Sequence, residues 1–219
     1  MNLLRSKEEY YPIYWVDNFL TDNEIEKIKT HAKTLIVQDA KVGVDEKEKK
    51  EFTLDYHIKD PNNGFVPRKR ITDIKWITLR EDTNWLFKKI IDKIIYVNSK
   101  NFDLQLKFLE DFQFSEYTEE KSGFYSKHRD CELKKSLDNH VDIRKLSFTI
   151  QLTDENEYEG GELIFHIDEK EKKAPKSKGT IIFFESDILH EVTPVTKGVR
   201  HSLVSWVQGP NKDNYEKTN

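Results

Sequence analysis

Over the first hundred residues the apolar positions recur mostly at helical spacing, and beyond them they alternate. Residues 12–20 form a short apolar run that predicts a strand. Thr21 then has the character of an N-cap, and Glu24, three residues on, completes a capping box. Ile25, Ile28, Ala32, Leu35 and Ile36 share one helical face, which predicts an amphipathic helix over 22–36. Residues 38–51 are charged and unpatterned, the mark of a loop. A second helix is predicted over 83–98, with Trp85, Ile90, Ile91, Ile94 and Ile95 as its buried stripe. The lysines spaced among these isoleucines favour helix over strand.

After residue 100 the period falls to two. Phe102, Leu104, Leu106 and Phe108 alternate with polar residues, and Phe112 and Phe114 resume the alternation before Tyr117. Further strands are predicted over 145–153, 161–167, 179–185 and 199–207. Turn-like segments separate them: 156–161, the lysine-rich 168–178, and 193–198. Many short strands without helices between them predict an antiparallel sandwich or barrel. Helices first and strands after make the chain α+β. No repeat, low-complexity tract or linker interrupts it, so 1–219 is expected to be one domain. Its helical or mixed part would span about 1–100 and its jelly-roll core about 101–209.

Composition narrows this further. Hydrophobic residues are only 36% and charged residues 35%, yet 13 Phe, 9 Tyr and 4 Trp argue for an aromatic core and against disorder. A net charge of −4 offers no general attraction to phosphate backbones, so no nucleic-acid partner is expected. The short basic run Arg68-Lys69-Arg70 reads as a solvated loop. A lone cysteine, Cys131, excludes an internal disulfide. The N-terminus has no apolar leader and no stretch is long enough to span a bilayer. A soluble protein of a reducing compartment, the cytoplasm, is expected.

Three His-x-Asp tripeptides carry the candidate chemistry: His128-Arg129-Asp130, His140-Val141-Asp142 and His166-Ile167-Asp168. On a strand, residues i and i+2 point to one face, so both side chains can reach one ion. A distant histidine would complete two imidazoles and one carboxylate. With seven histidines in the chain, one such tripeptide is expected by chance, and context has to choose. His166 lies 24 residues before His190, too few to build the strands that would return a ligand to the same site. His140 and Asp142 more naturally end the polar loop 131–144. Asp130 leaves 60 residues before His190, room for about four strands with their turns. His128, Asp130 and His190 are therefore the expected metal ligands. Arg200, ten residues beyond His190, could pair bidentately with a carboxylate.

Four segments follow in order: Tyr125-Ser126-Lys127-His128-Arg129-Asp130, Arg144-Lys145-Leu146-Ser147, Tyr158-Glu159-Gly160-Gly161-Glu162-Leu163, and His190-Glu191-Val192-Thr193-Pro194-Val195 through Gly198-Val199-Arg200. Together they resemble the prolyl 4-hydroxylase-like branch of the 2-oxoglutarate/Fe(II) oxygenases, above all its bacterial and phage PKHD-type hydroxylases. Arg70 through Ile77 is similar to phage members as well. The resemblance implies a double-stranded β-helix, a cupin-type jelly roll, with N-terminal flanking helices. It implies Fe(II) on His128, Asp130 and His190, with 2-oxoglutarate and O2 as cosubstrates and ascorbate as reductant. Arg200, assisted by Tyr117 and Gln151, would hold the far carboxylate of 2-oxoglutarate. Asp130, filling the carboxylate position, implies hydroxylation over halogenation. Lys127 stands where relatives often carry an aromatic, and is expected at the pocket mouth. A small molecule or a peptide is the implied substrate, with a prolyl residue first in line. Two other classes stand beside this reading: a nucleic-acid demethylase of the same superfamily, and a non-catalytic cupin that binds a carboxylate. The first would carry a second arginine shortly after Arg200, and none occurs before Trp206. Gly160-Gly161 is expected to serve as turn chemistry, Trp206 as core and Cys131 as a bystander thiol.

Overall fold

Thr21 opens the first helix as its capping box predicts: its hydroxyl accepts from the Glu24 amide, and the Glu24 carboxylate accepts from the Thr21 amide. The computed structural model describes residues 12–39, 57–60, 64–67, 69–131 and 142–211. The predicted loop 38–51 lies largely outside them. Strand β1 (Ile13–Val16) leads into helix α1 (Asp22–Lys33), followed by β2 (Gln38–Asp39), β3 (His57–Asp60) and β4 (Gly64–Pro67). Then come β5 (Arg70–Ile71), β6 (Asp73–Ile77) and helix α2 (Asn84–Val97). Among the described residues the second half is strands alone: β7 (Phe108–Leu109), β8 (Phe112–Thr118), β9 (Phe124–His128), β10 (Ile143–Gln151) and β11 (Tyr158–Gly160). They continue as β12 (Leu163–Ile167), β13 (Lys170–Lys173), β14 (Ile181–Glu185), β15 (Leu189–Val192) and β16 (Val195–Gly209).

Several elements differ from expectation for identifiable reasons. Helix α1 stops at Lys33, leaving Ile36 exposed. Helix α2 buries Leu86, Phe87, Ile90, Ile94 and Val97, whereas Ile91 is 40% and Ile95 63% exposed. The doublets Ile90-Ile91 and Ile94-Ile95 offer two faces, and Phe87 selects one by stacking on Phe112 at 4.0 Å. The alternation over 102–108 does not become a strand. Residues Asn98–Phe102 form a π-helical turn, and Asp103 follows at φ 51°. The Asn98 side chain accepts from the Leu104 amide and donates to the Leu104 carbonyl, local bonds that compete with a ladder. Only Phe108 and Leu109 then pair, and Phe108 is exposed. Conversely, the lysine-rich 168–178 contains β13, a charged edge strand of the kind that resists further pairing.

All pairings are antiparallel. The large sheet runs β1-β14-β10-β16-β8-β6-β2, with β7 and β11 also pairing β16. The small sheet runs β13-β12-β15-β9-β5, and β3 and β4 form a separate hairpin. The large sheet is covered on both faces. Leu146, Phe148, Ile150, Ile181, Phe183 and Leu203 pack with α1 and α2 in one core. Residues of opposite parity, Tyr117, Ile182 and Phe184, meet Leu163, Phe165 and Val192 of the small sheet in a second core. Two antiparallel sheets facing across a core make a jelly roll. On this inner face the large sheet is also polar: Gln113, Ser115, Ser147, Thr149, Gln151, Arg200 and Ser202 are all buried. Among the described residues, no helix is long and apolar enough to cross a membrane.

The stripe on α2 is testable. Ile90→Ala should cost about 2–5 kcal/mol, as deletion of a fully buried branched side chain does. Ile95→Ala, at a solvent-facing position, should stay within about 0.5 kcal/mol. Urea unfolding midpoints of the two variants measure this, and equal losses would contradict the stripe.

Candidate metal and anion site

Strands β9 and β15 pair so that His128 lies directly across from His190. Each imidazole is oriented by its own strand. Nδ1 of His128 is 2.8 Å from the Ser126 carbonyl and Nδ1 of His190 is 2.9 Å from the Ile188 carbonyl. A carbonyl only accepts, so each Nδ1 carries the proton and each Nε2 presents a lone pair. Tyr125 stacks on His128 with centroids 3.4 Å apart, and Phe184 meets His190 edge-on at 4.8 Å. Burial, with the neighbouring His128, pushes the His190 imidazole down to about 4, which leaves it neutral near pH 7.

Asp130 reaches the same point by a route the tripeptide does not convey. Strand β9 ends at His128, and Asp130 lies beyond it in a bend. The amides of Asp130 and Cys131 both donate to the Ser186 carbonyl at 2.9 Å, which turns the carboxylate inward. Oδ2 accepts from Ser147 Oγ at 2.8 Å, and Ser147 is itself bonded to Ser186 Oγ at 2.9 Å. Burial would raise the Asp130 carboxyl, but the two imidazoles and Ser147 hold it well below the usual carboxylate range. Asp130 Oδ1 lies 3.6 Å from His128 Nε2, and Oδ2 lies 3.6 Å from His190 Nε2. These separations are too long for hydrogen bonds. They suit three donors, each about 2.1 Å from one shared ion. Two imidazoles and one carboxylate fit a divalent first-row metal with open positions.

The other tripeptides do not converge in this way. His166 belongs to the opposite face of the small sheet, where its Nε2 is 2.9 Å from Glu191 Oε1. With Glu171 it forms a second cluster of potential ligands, in which the His166–Glu191 contact already occupies one donor of each. Asp168 sits in the turn at φ 48°. His140 lies outside the described residues, and Asp142 pairs with Lys107 at 3.0 Å. Lys127 is not at the pocket mouth. It points opposite to His128, with its ammonium 3.9 Å from Glu191.

Further along the same interior lies Arg200, 1% exposed and paired in register with Tyr117. Its Nη2 donates to Gln151 Oε1 at 3.0 Å, its Nη1 is 3.5 Å from Ser202 Oγ, and its Nε has no partner. Tyr117 meets it through the ring, 5.4 Å from centroid to guanidinium carbon. Gln151 is held in turn by donating to the Pro175 carbonyl at 3.1 Å. Among the described residues, no carboxylate forms an ion pair with Arg200. A buried cation without a counter-charge is costly, and an anionic ligand would relieve that cost.

Sequence reasoning missed three contributors. Ser147 closed one of the four family-like segments but was given no role there. Tyr158, beside Arg200, opened another of those segments but was read only as part of a turn. Arg70 corrects the solvated-loop reading of its basic run. Half-buried on β5, it lies 4.6 Å over the Tyr125 ring and 3.4 Å from both Gln113 Oε1 and Ser115 Oγ. Its Nε is buried and unpaired. Only the cross-strand pairing of Arg70 with Tyr125 brings it inward. A groove of about 570 Å³ beside α1 and α2, lined by residues such as His31, Asp82 and Trp85, is separate from this constellation.

Comparison with known proteins agrees with this geometry. Residues 112–208 match the family model of the 2OG-Fe(II) oxygenase superfamily. A PKHD-type hydroxylase of Alteromonas mediterranea is 35% identical over 102 residues, 46% of this chain and 44% of the relative. One from a Synechococcus strain is 33% identical over 135 residues, 59% of this chain and 58% of the relative. The matched part thus spans about half the length of these curated relatives. Two solved structures share the fold. A Pseudomonas putida prolyl-4-hydroxylase has a TM-score of 0.62 at 18% identity, covering 91% of this chain and 93% of that one. A Trichoplax adhaerens prolyl hydroxylase, solved with a hypoxia inducible factor peptide fragment, has a TM-score of 0.66 at 16% identity, covering 95% and 88%. The segment that carries His128, Asp130, His190 and Arg200 belongs to the 2OG-Fe(II) oxygenase superfamily, in a chain similar to the PKHD-type hydroxylases.

Proposed function

We propose that this chain is an Fe(II)- and 2-oxoglutarate-dependent hydroxylase acting as one domain, with His128, Asp130 and His190 as the iron ligands and Arg200 as the anchor of the cosubstrate. One observation carries the reading: three converging donors and a buried guanidinium without a counter-ion share one interior between two sheets. Bound iron would supply O2 activation coupled to oxidative decarboxylation of 2-oxoglutarate. The protein's own part is orientation and exclusion of water. Ser126 and Ile188 hold the imidazole tautomers, and Ser147 with the Ser186 carbonyl holds Asp130. Gln151, Ser202 and the Tyr117 ring set Arg200 for the distal carboxylate. A prolyl residue in a peptide is the first substrate we propose, because the structural relatives named above are prolyl hydroxylases. Ascorbate as reductant and a cytoplasmic setting complete the proposal.

Metal content provides the first test. The protein should take up one Fe(II), replaceable by Mn(II), Co(II) or Ni(II). His128→Ala and His190→Ala should abolish uptake, while His140→Ala and His166→Ala should retain it, as read by elemental analysis. Retention of metal by His128→Ala would reject the ligand set.

Arg200→Ala should raise the apparent 2-oxoglutarate constant by tens-fold or more while iron still binds. Breaking a buried charge pair costs about 2–5 kcal/mol. An unchanged constant would remove Arg200 from the site.

Reaction class forms the third test. A substrate should gain one oxygen atom drawn from labelled O2, with succinate formed in step. Formaldehyde released from a methylated oligonucleotide, with no hydroxylated peptide or metabolite in a broad screen, would instead favour the demethylase reading.

A further inference from the structure

We infer that the hydroxyl of Tyr158 is a second donor to the distal carboxylate of the 2-oxo acid, beside Arg200; this rests on the reading of Arg200 proposed above. Tyr158 begins β11, which pairs with β16 so that Tyr158 lies opposite Gly198, two residues before Arg200. The residue is 3% exposed, and its hydroxyl is buried without a hydrogen-bond partner. Buried tyrosine hydroxyls ordinarily find partners, because leaving one unpaired forfeits its hydration. If packing alone were required, phenylalanine would fill the same volume without that loss. The unpaired hydroxyl therefore calls for a ligand.

Its neighbour carries the matching deficit. Arg200 Nε is also buried and unpaired. Both side chains crowd against Gly161, where a Cβ would stand 2.9 Å from Arg200 Cδ and 3.3 Å from Tyr158 Cε2. Gly161, at φ +57°, thus supplies the turn and also the space in which the two side chains approach. The guanidinium is near enough to oppose, by its charge and as a donor towards the phenol oxygen, the upward push of burial on Tyr158; having no acceptor, it leaves the phenol proton without one. Lys176 lies over the Tyr158 ring, 4.2 Å from its centroid, and donates to the Gly160 carbonyl at 3.3 Å. It holds the ring in place. Two unpaired donors from adjacent strands, one cationic and one neutral, are complementary to the oxygens of one carboxylate. Tyr117, by contrast, engages Arg200 through its ring.

Binding separates this role from a structural one. In the Ni(II)-substituted protein, calorimetry should show Tyr158→Phe weakening 2-oxoglutarate binding by about 10-fold or more, the loss expected for a hydrogen bond to a charged group. Nickel affinity should be unchanged. Without cosubstrate the variant should melt no lower than wild type, because the hydroxyl it loses has no partner there. Wild-type affinity in Tyr158→Phe would overturn the inference, as would a lowered ligand-free melting temperature with affinity retained. Arg200→Ala, measured alongside, separates the two ideas. If it loses binding and Tyr158→Phe does not, only the Tyr158 role fails. If neither variant loses binding, the reading of Arg200 fails with it.

Discussion

A guanidinium sealed between two sheets, with no carboxylate beside it among the described residues, is the constraint around which this interior is organised. Removing such a charge from water costs several kcal/mol even after the protein relaxes. Neutral groups offset part of this: the Gln151 carbonyl oxygen, the Ser202 hydroxyl and the face of Tyr117. None of them carries negative charge. Each must come from a position whose side chain points inward, so β8, β10 and β16 bear polar residues at alternate positions within an otherwise apolar sheet. The register Gln151↔Ser202↔Ser115 is one such polar row across three strands. A sheet designed for stability alone would fill that row with apolar side chains.

The opposite face of the large sheet makes this tolerable. Leu146, Phe148, Ile150, Ile181, Phe183 and Leu203 bury apolar surface against α1 and α2, and close-packed aromatic contacts such as Phe87 on Phe112 fix the sheet from behind. Strand β14 shows the division most clearly. Ile181 and Phe183 belong to the helix-facing core, and Ile182 and Phe184 to the core shared with the small sheet. Stability is concentrated on one face, and a polar site can occupy the other.

The parts of the site that follow from local periodicity were legible in the sequence. His128 and His190 were separable from rival histidines by spacing, because a jelly roll brings an early and a late strand together, and Thr21 with Glu24 marked a helix start from four residues. What depends on long-range pairing was hidden. Arg70 becomes an interior group only because β5 joins β9, and Lys127 turns outward because its neighbour His128 turns in. The false strand over 102–108 had the right alternation, but Asn98 supplied side-chain hydrogen bonds that favour a local turn. Periodicity records which side chains can be buried together and is silent on which backbone groups a nearby amide will capture.

Strand β10 connects the two ends of the site in a way that bears on ligand shape. Ser147 bonds Asp130 and Gln151 bonds Arg200, and both residues point inward from the same strand. Four residues of antiparallel strand span about 13 Å. Asp130 reaches in from one end and the long Arg200 side chain from the other, so the free distance between them is shorter than that span. A ligand that bridges them needs a metal-chelating group at one end and an anionic group at the other, separated by a short chain. Both anchors are fixed to one continuous β10 ladder, paired on either side by β14 and β16. The spacing of Ser147 and Gln151, the residues that orient the two anchors, is therefore set by backbone hydrogen bonds, which change less readily than side-chain rotamers. Selection of the proposed five-carbon 2-oxo diacid would follow from that fixed separation, with substrate choice left to the groups around the site.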